Sequence, residues 1–156
     1  PRLGLRLILN PGLENFTWYG HGPHENYIDR KSSTTIGLWK SKVKNQLVNY
    51  PFPQESGNKE DIQALQLTDS KKPGITIRAL DKTFAASALH FLAEDLTFAT
   101  HNVDLKPRSE TILSIDAQQL GLGNSSCGPG VLKKYAIGKK EHVLHFRISP
   151  AGDSLF

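Results

Sequence analysis

The sequence predicts an all-β fold, an antiparallel β-sandwich, and three observations carry that prediction. Apolar residues recur at every second position in one segment after another, the period of a strand with one buried face. The segments are short and are separated by turns rich in Gly, Pro and Asn, as in sandwiches and barrels. Only residues 92–101 (LAEDLTFATH) have the composition of a short helix.

Taken in order, Leu3, Leu5, Leu7 and Leu9 alternate with Arg2, Gly4, Arg6 and Ile8, which predicts a first strand. Phe16 and Trp18 alternate with Asn15, Thr17 and Tyr19 in a second. Further strands are expected over 34–39, 43–50, 62–68, 74–80, 83–89, 111–117 and 142–148. In the last of these, Leu144, Phe146 and Ile148 share one face. The longest irregular stretches are 20–33, 51–61 and 121–130, and loops of that length in a compact β domain often carry function. Residues 1–148 are expected to form one domain and 149–156 a loose tail.

The 156-residue length fits one domain able to bury roughly two-thirds of its unfolded surface. No apolar run approaches the ~20 residues of a membrane helix. The chain opens inside a strand at Pro1-Arg2-Leu3 and contains no Met, as expected of a piece of a longer protein. Localisation, cytoplasmic or periplasmic in a bacterium, is left open. A net charge of +4 raises nucleic acid as a partner, but no Lys/Arg cluster interleaves with aromatics. Lys40, Lys42 and Lys44 alternate and read as one solvated face. A single cysteine, Cys127, excludes an intrachain disulfide and any multi-Cys zinc site.

Catalytic motifs are sparse. His21, His24, Glu25 and Asp29 form the densest set of metal-ligating types, but they lie in a loop opened by Gly20-His-Gly-Pro rather than on a helix. The expectation there is a loop held by side-chain hydrogen bonds and a Glu25–Arg30 or Asp29–Arg30 pair, with no metal. Gly20-His-Gly22 lacks the third glycine and the helix of a dinucleotide fingerprint. Ser125 and Ser126 beside Cys127 lack the Gly-x-Ser-x-Gly elbow of a serine nucleophile. Glycoside hydrolysis needs two carboxyl groups about 5 Å apart for retention. Glu14, Glu25, Glu55, Glu60, Glu94 and Asp95 stand in no setting that marks such a pair, so no catalytic residue is expected.

Residues 18–30, Trp-Tyr-Gly-His-Gly-Pro-His-Glu-Asn-Tyr-Ile-Asp-Arg, resemble the Trp-x-Gly-x-Gly-Pro-x-Glu-x-Tyr-x-Asp-Arg signature of glycoside hydrolase family 2 β-galactosidases. That signature lies in their last domain, called the small chain where it is a separate subunit. Pro1-Arg-Leu-Gly-Leu is similar to the family's opening Pro-Arg-Ile-Gly strand, and Pro53-Gln-Glu-Ser-Gly57 to its Pro-x-Glu-Asn-Gly loop. Ala88-Leu-His-Phe, Glu94-Asp-Leu, Thr100-His and Leu105-Lys-Pro-Arg fall in the family's order. Gln119-Leu-Gly-Leu-Gly-Asn-Ser-Ser-Cys-Gly-Pro129 resembles Gln-Met-Gly-x-Gly-x-x-Ser-Trp-Gly-Pro.

The resemblance implies a supersandwich of the galactose-mutarotase type within a retaining enzyme acting on terminal β-D-galactosides. It places the acid/base and nucleophile glutamates in a separate (β/α)-barrel domain or large chain, which becomes this chain's expected partner. The parent is expected to be a homo-oligomer with Mg and Na in its other domains and no cofactor in this one. Glu55, Ser56, Gly57, Asn58 and Lys59 correspond to a loop at the active-site mouth that changes position when substrate binds. Asn124, Ser126 and Cys127 correspond to the pocket wall, with Cys127 where the family has a sugar-stacking tryptophan. A thiol offers no ring face to the polarised C–H groups of a sugar. Either the pocket is wider there, fitting a larger or branched β-galactoside, or Cys127 is simply a small buried residue.

An alternative reading is an independent carbohydrate-binding module, which needs exposed aromatics on one face; Trp18, Trp39, Tyr19, Tyr27 and Tyr50 are the candidates. The strand patterns around Trp18 and Trp39 predict burial instead. A third, a mutarotase-type epimerase, needs a His/Glu acid–base pair on the concave face.

Overall fold

The alternation of apolar residues resolves into two antiparallel sheets whose inner faces meet. In the structure, a computed structural model describing residues 1–71, 73–123, 127–152 and 154–155, the chain runs through nine strands and one short helix. The strands are β1 (Arg2–Leu9), β2 (Asn15–Gly22), β3 (Thr35–Lys42), β4 (Lys59–Ile62), β5 (Ala64–Thr68), β6 (Ile75–Ala79), β7 (Phe84–Leu89), β8 (Thr111–Gln119) and β9 (Phe146–Pro150). The helix α1 covers Ala93–Phe98, within the 92–101 stretch expected for it. One sheet has the order β1-β8-β7-β4 and the other β3-β2-β5-β6-β9. The expected all-β sandwich is therefore what forms.

The core sits between the sheets. Phe16 and Trp18 of β2, Leu65 and Leu67 of β5 and Ile77 of β6 face Ile62 of β4, Phe84, Ala86 and Ala88 of β7, and Leu113 and Ile115 of β8. Burying side chains of this size contributes about 1.5–3 kcal/mol each before conformational entropy is subtracted. The i, i+2 spacing of Phe16 and Trp18 puts both rings on one face, where they stack with centroids 4.7 Å apart. Leu5, Leu7 and Leu9 pack against this core as their alternation predicts. Lys40, Lys42 and Lys44 are all exposed, as expected of a solvated face.

Several segments depart from the sequence pattern, among them 62–68, which splits between β4 and β5 in different sheets, and 142–148, where the strand begins only at Phe146. A register shift between Leu3 and Gly4 breaks the alternation of β1, so Leu3 is 38% exposed and Arg2 turns toward Asp116 of β8. Residues 43–50 are not a strand: a 3-10 turn, Val43–Asn45, follows β3. The Val43 amide donates to the Glu14 carbonyl and Gln46 Nε2 donates to Ser41 Oγ, contacts that curl the chain where a strand would extend it. The irregular 51–61 stretch ends in a strand, since β4 begins at Lys59. At the C-terminus, β9 runs to Pro150, two residues beyond the expected domain boundary at 148. Two residues after it are tied back, with Gln66 Nε2 donating to the Gly152 carbonyl at 2.9 Å and Arg78 Nη2 to the Leu155 carbonyl at 2.7 Å.

Gly4 marks the tightest contact of the β1 shift, because a Cβ there would lie 2.1 Å from the Ile115 carbonyl oxygen. Gly4→Ala is expected to destabilise the fold by about 1–3 kcal/mol through overpacking. Urea unfolding followed by tryptophan fluorescence checks this, and an unchanged midpoint would refute the role given to Gly4.

Candidate functional site

The three long irregular stretches meet around the 20–33 loop. Glu25 is buried, and its carboxylate accepts hydrogen bonds from the Tyr27 hydroxyl (3.0 Å), the Gly57 amide (2.8 Å), Arg30 Nη2 (2.5 Å) and the Tyr50 hydroxyl. Burial pushes this carboxyl up, but the donors from Tyr50, Gly57, Arg30 and Tyr27 outweigh it and hold the group below the usual glutamate value. Asn26 completes the join: its amide donates to the Asn58 carbonyl (2.8 Å), its carbonyl accepts Asn58 Nδ2 (2.9 Å), and its Oδ1 accepts the Glu60 amide (2.7 Å). Gly57 has φ +76°, and a Cβ there would lie 2.5 Å from the Gln46 carbonyl oxygen, so glycine suits this position on two counts.

Asp29 makes the second join. Its two carboxylate oxygens accept the backbone amides of Leu122 (2.9 Å) and Gly123 (2.8 Å), which pins the start of the 121–130 stretch to the 20–33 loop. Of the two ion pairs expected here, Glu25–Arg30 forms, while the Asp29 oxygens are taken by these amides. Two open clefts result. One, of about 390 Å³, lies between Asp29, Arg30, Leu122, Pro129, Leu132 and Tyr135. The other, of about 430 Å³, lies between Tyr27, Arg30, Tyr50, Gln54 and Glu55.

The five loop residues singled out in the sequence divide sharply. Glu55 is exposed on the second cleft, with its carboxylate 3.3 Å from Arg2 Nη1. Ser56, Gly57, Asn58 and Lys59 point inward. The Ser56 hydroxyl accepts the Val48 amide at 3.1 Å. Lys59 is 2% exposed, donates to the Gly57 carbonyl at 3.0 Å and lies 5.2 Å from the Trp18 ring. Burial pulls its ammonium down to about 8. Of the five, Glu55 alone lines a cleft, the second, and the other four are buried. Asn124 and Ser126 lie outside the described residues. Cys127 is exposed, which corrects the reading of it as a small buried residue.

His21 and His24 do not join Glu25. His21 Nδ1 meets Thr34 Oγ1 at 2.9 Å, and His24 Nε2 meets Ser33 Oγ at 3.2 Å. Among the described residues no three His, Cys, Asp or Glu side chains are arranged to hold a metal ion. Trp18 and Tyr27 are buried, as packing of that loop predicts, and Trp39 is half-buried, so no exposed tryptophan face is formed.

Sequence reasoning missed two buried acids. Asp116 of β8 is fully buried 3.4 Å from Arg2 Nε, and no donor among the described residues hydrogen-bonds either of its oxygens. Burial drives its carboxyl up to about 6. Glu60 accepts Asn58 Nδ2 at 2.8 Å, and burial raises it to about 7. Glu60 also borders a third cavity of about 320 Å³ with Asp61, Lys82, Thr83, Gln118 and Gln119, among whose described walls there is no histidine. The available signal was an acid set among strand residues, Asp116 in TILSIDAQQ and Glu60 in KEDI.

Comparison with known proteins agrees with the motif order. A family model described as the β-galactosidase small chain matches residues 1–148. The chain is similar to a β-galactosidase of Arthrobacter sp. (strain B7), 32% identical over 155 residues that cover 97% of this chain and 15% of that protein. It is 34% identical to a β-galactosidase of Priestia megaterium over 123 residues, 79% of this chain and 12% of that one. A Kluyveromyces lactis β-galactosidase is 32% identical over 152 residues, 96% of this chain and 14% of that protein. The chain therefore spans only 12–15% of the length of these curated relatives.

Two expectations follow from the buried acids. Folded Glu60 keeps its proton to about pH 7, whereas unfolding restores its ordinary value of 4.5. Its contribution to stability is therefore full below about pH 4.5 and is lost as pH rises toward 7. Glu60→Gln, which keeps the acceptor for Asn58, should leave stability nearly unchanged at pH 4 and raise it by about 3 kcal/mol above pH 7. Urea midpoints of both proteins across that range check it, and parallel curves would refute it. Glu25→Ala, which orphans the Gly57 amide, should cost about 2–3 kcal/mol in the same assay.

Proposed function

This chain belongs to the β-galactosidase small-chain family, and on that premise we propose that it is the non-catalytic C-terminal domain of a retaining β-galactosidase, forming one wall of the pocket that takes terminal β-D-galactosides. The observation that carries the reading is the convergence of the 51–61 and 121–130 stretches on the 20–33 loop through Glu25 and Asp29, which leaves two clefts open beside them. The carboxylates at those clefts are already occupied. Asp29 spends both oxygens on backbone amides and Glu55 pairs with Arg2, while Glu25, which lines neither cleft, is held ionised by four donors. A retaining hydrolase needs one carboxyl that protonates the leaving oxygen and another free to attack. That pair belongs, on this reading, to a (β/α)-barrel domain or large chain with which this domain associates.

The relatives named β-galactosidase are several times longer than this chain, which supports the same division of labour. The family resemblance assigns magnesium and sodium to the other domains, and no step here is routed through a metal. Cys127 is exposed just before Pro129 and Gly130 of the first cleft. With a thiol in place of an indole, that part of the wall recedes and favours a β-galactoside larger than lactose.

The purified chain is expected to show no hydrolysis of a chromogenic β-galactoside. The Arthrobacter sp. relative should lose hydrolysis when its matching segment is deleted, and regain it when this chain is grafted in that place. Turnover by the chain alone, or undiminished hydrolysis by the deleted relative, would overturn the reading.

A further inference from the structure

Arg30 stands between the two clefts and borders both. Its guanidinium is clamped at one corner: Nη2 donates to the buried Glu25 carboxylate at 2.5 Å and lies 3.4 Å from the Tyr50 hydroxyl. The Tyr27 ring supports the group from one side, with Cζ 5.4 Å from its centroid. Nη1 and Nε donate to no acceptor among the described residues, and the side chain remains 48% exposed. A planar, permanently charged fork fixed at one corner presents its remaining N–H groups in a set direction. Little further ordering is needed when an acceptor arrives, which favours binding.

The surroundings define the acceptor. Arg30 is already neutralised by Glu25 and Glu55 is paired with Arg2, so an anionic ligand finds no unpaired positive charge among the lining residues and meets the Asp29 carboxylate in the first cleft. Neutral hydroxyls meet no such penalty and also find Tyr135 in the first cleft and Gln54 in the second. Leu122 and Leu132 are exposed and offer aliphatic surface to the C–H face of a ring. Each cleft falls within the roughly 300–1,000 Å³ of small-molecule pockets. We propose that Arg30 is the shared donor of a two-compartment site for an uncharged oligosaccharide, with one sugar unit on either side of its guanidinium. The proposal deepens the pocket-wall reading, and rests on it for the identity of the sugar as a β-galactoside.

Calorimetric titration of the chain with galactobiose, galactose and digalacturonate tests it. Galactobiose should bind about tenfold more tightly than galactose, the factor expected for one added hydrogen bond to a charged donor, and digalacturonate no better than galactose. Arg30→Gln should weaken galactobiose about tenfold. Because that change also releases Glu25, Gln54→Ala and Tyr135→Ala, which lie outside the Glu25 network on opposite sides of Arg30, should weaken it too with an unchanged near-ultraviolet circular dichroism spectrum. No galactobiose binding by the folded chain at about 20 mM, tighter binding of digalacturonate, or wild-type binding by all three variants would overturn the proposal. Binding is read without turnover, so the two readings fail separately. A chain that binds galactobiose and also hydrolyses it sinks the pocket-wall reading alone. A chain that binds none, while deletion still inactivates the relative, sinks this one alone.

Discussion

Burying the Glu25 carboxylate is the constraint on which the rest of this surface depends. An ionised carboxylate taken out of water is very costly unless donors replace its hydration. Here the donors come from two parts of the chain: Tyr27 and Arg30 in its own loop, Tyr50 and the Gly57 amide from the stretch after β3. Satisfying the charge therefore requires both segments to be in place at once. The Asn26 bonds to Asn58 and Glu60 then set where β4 begins, and Asp29 carries the same loop across to Leu122 and Gly123. Each Glu25 oxygen takes two donors, Arg30 and Tyr50 on one and Tyr27 and Gly57 on the other, so losing both from one oxygen would leave a buried charged group unpaired, the expensive half of hydrogen-bond energetics.

The sandwich and the loop surface are coupled through β2 and β4. Trp18 faces the core, stacks on Phe16 and donates from its indole nitrogen to the His21 carbonyl at the start of the loop. On its other side the Lys59 ammonium lies within cation–π distance while donating to the Gly57 carbonyl. Gly57, whose amide donates to Glu25, thus offers its own carbonyl to a lysine that packs on the central core tryptophan. Loop geometry and core packing stand or fall together for that reason.

Three buried acids show that burial alone does not set the direction of a pKa. Glu25, with four donors, is held down; Glu60, with one side-chain donor, is pushed up to about 7; Asp116, with no hydrogen-bond donor among the described residues, rises to about 6 although Arg2 and the N-terminus lie near it. The number of donors reaching the carboxylate decides the sign against a common desolvation penalty. Glu25 accordingly behaves as a structural anion, while Asp116, beside Arg2, takes up a proton as pH falls through about 6.

Much of this was legible in the sequence. Period-two alternation at Leu5–Leu7–Leu9 and Phe16–Trp18 gave the strands and their buried faces, because side-chain direction in a strand depends only on local backbone geometry. The ordered motifs from Trp18 to Pro129 identified the family. Local pattern failed where a tertiary partner overrode it: residues 43–50 alternate like a strand, yet Glu14 and Ser41 curl them into a turn, and the β1 shift at Gly4 turns Arg2 toward Asp116. The candidate site was hardest to read. Which of residues 55–59 reaches a cleft, where Asp29 spends its oxygens and why Arg30 stands between two clefts were all decided by tertiary structure. Those contacts join residues 32 positions apart for Glu25 and Gly57 and 94 apart for Asp29 and Gly123. No local period encodes a hydrogen bond across that separation; only the folded chain brings donor and acceptor together.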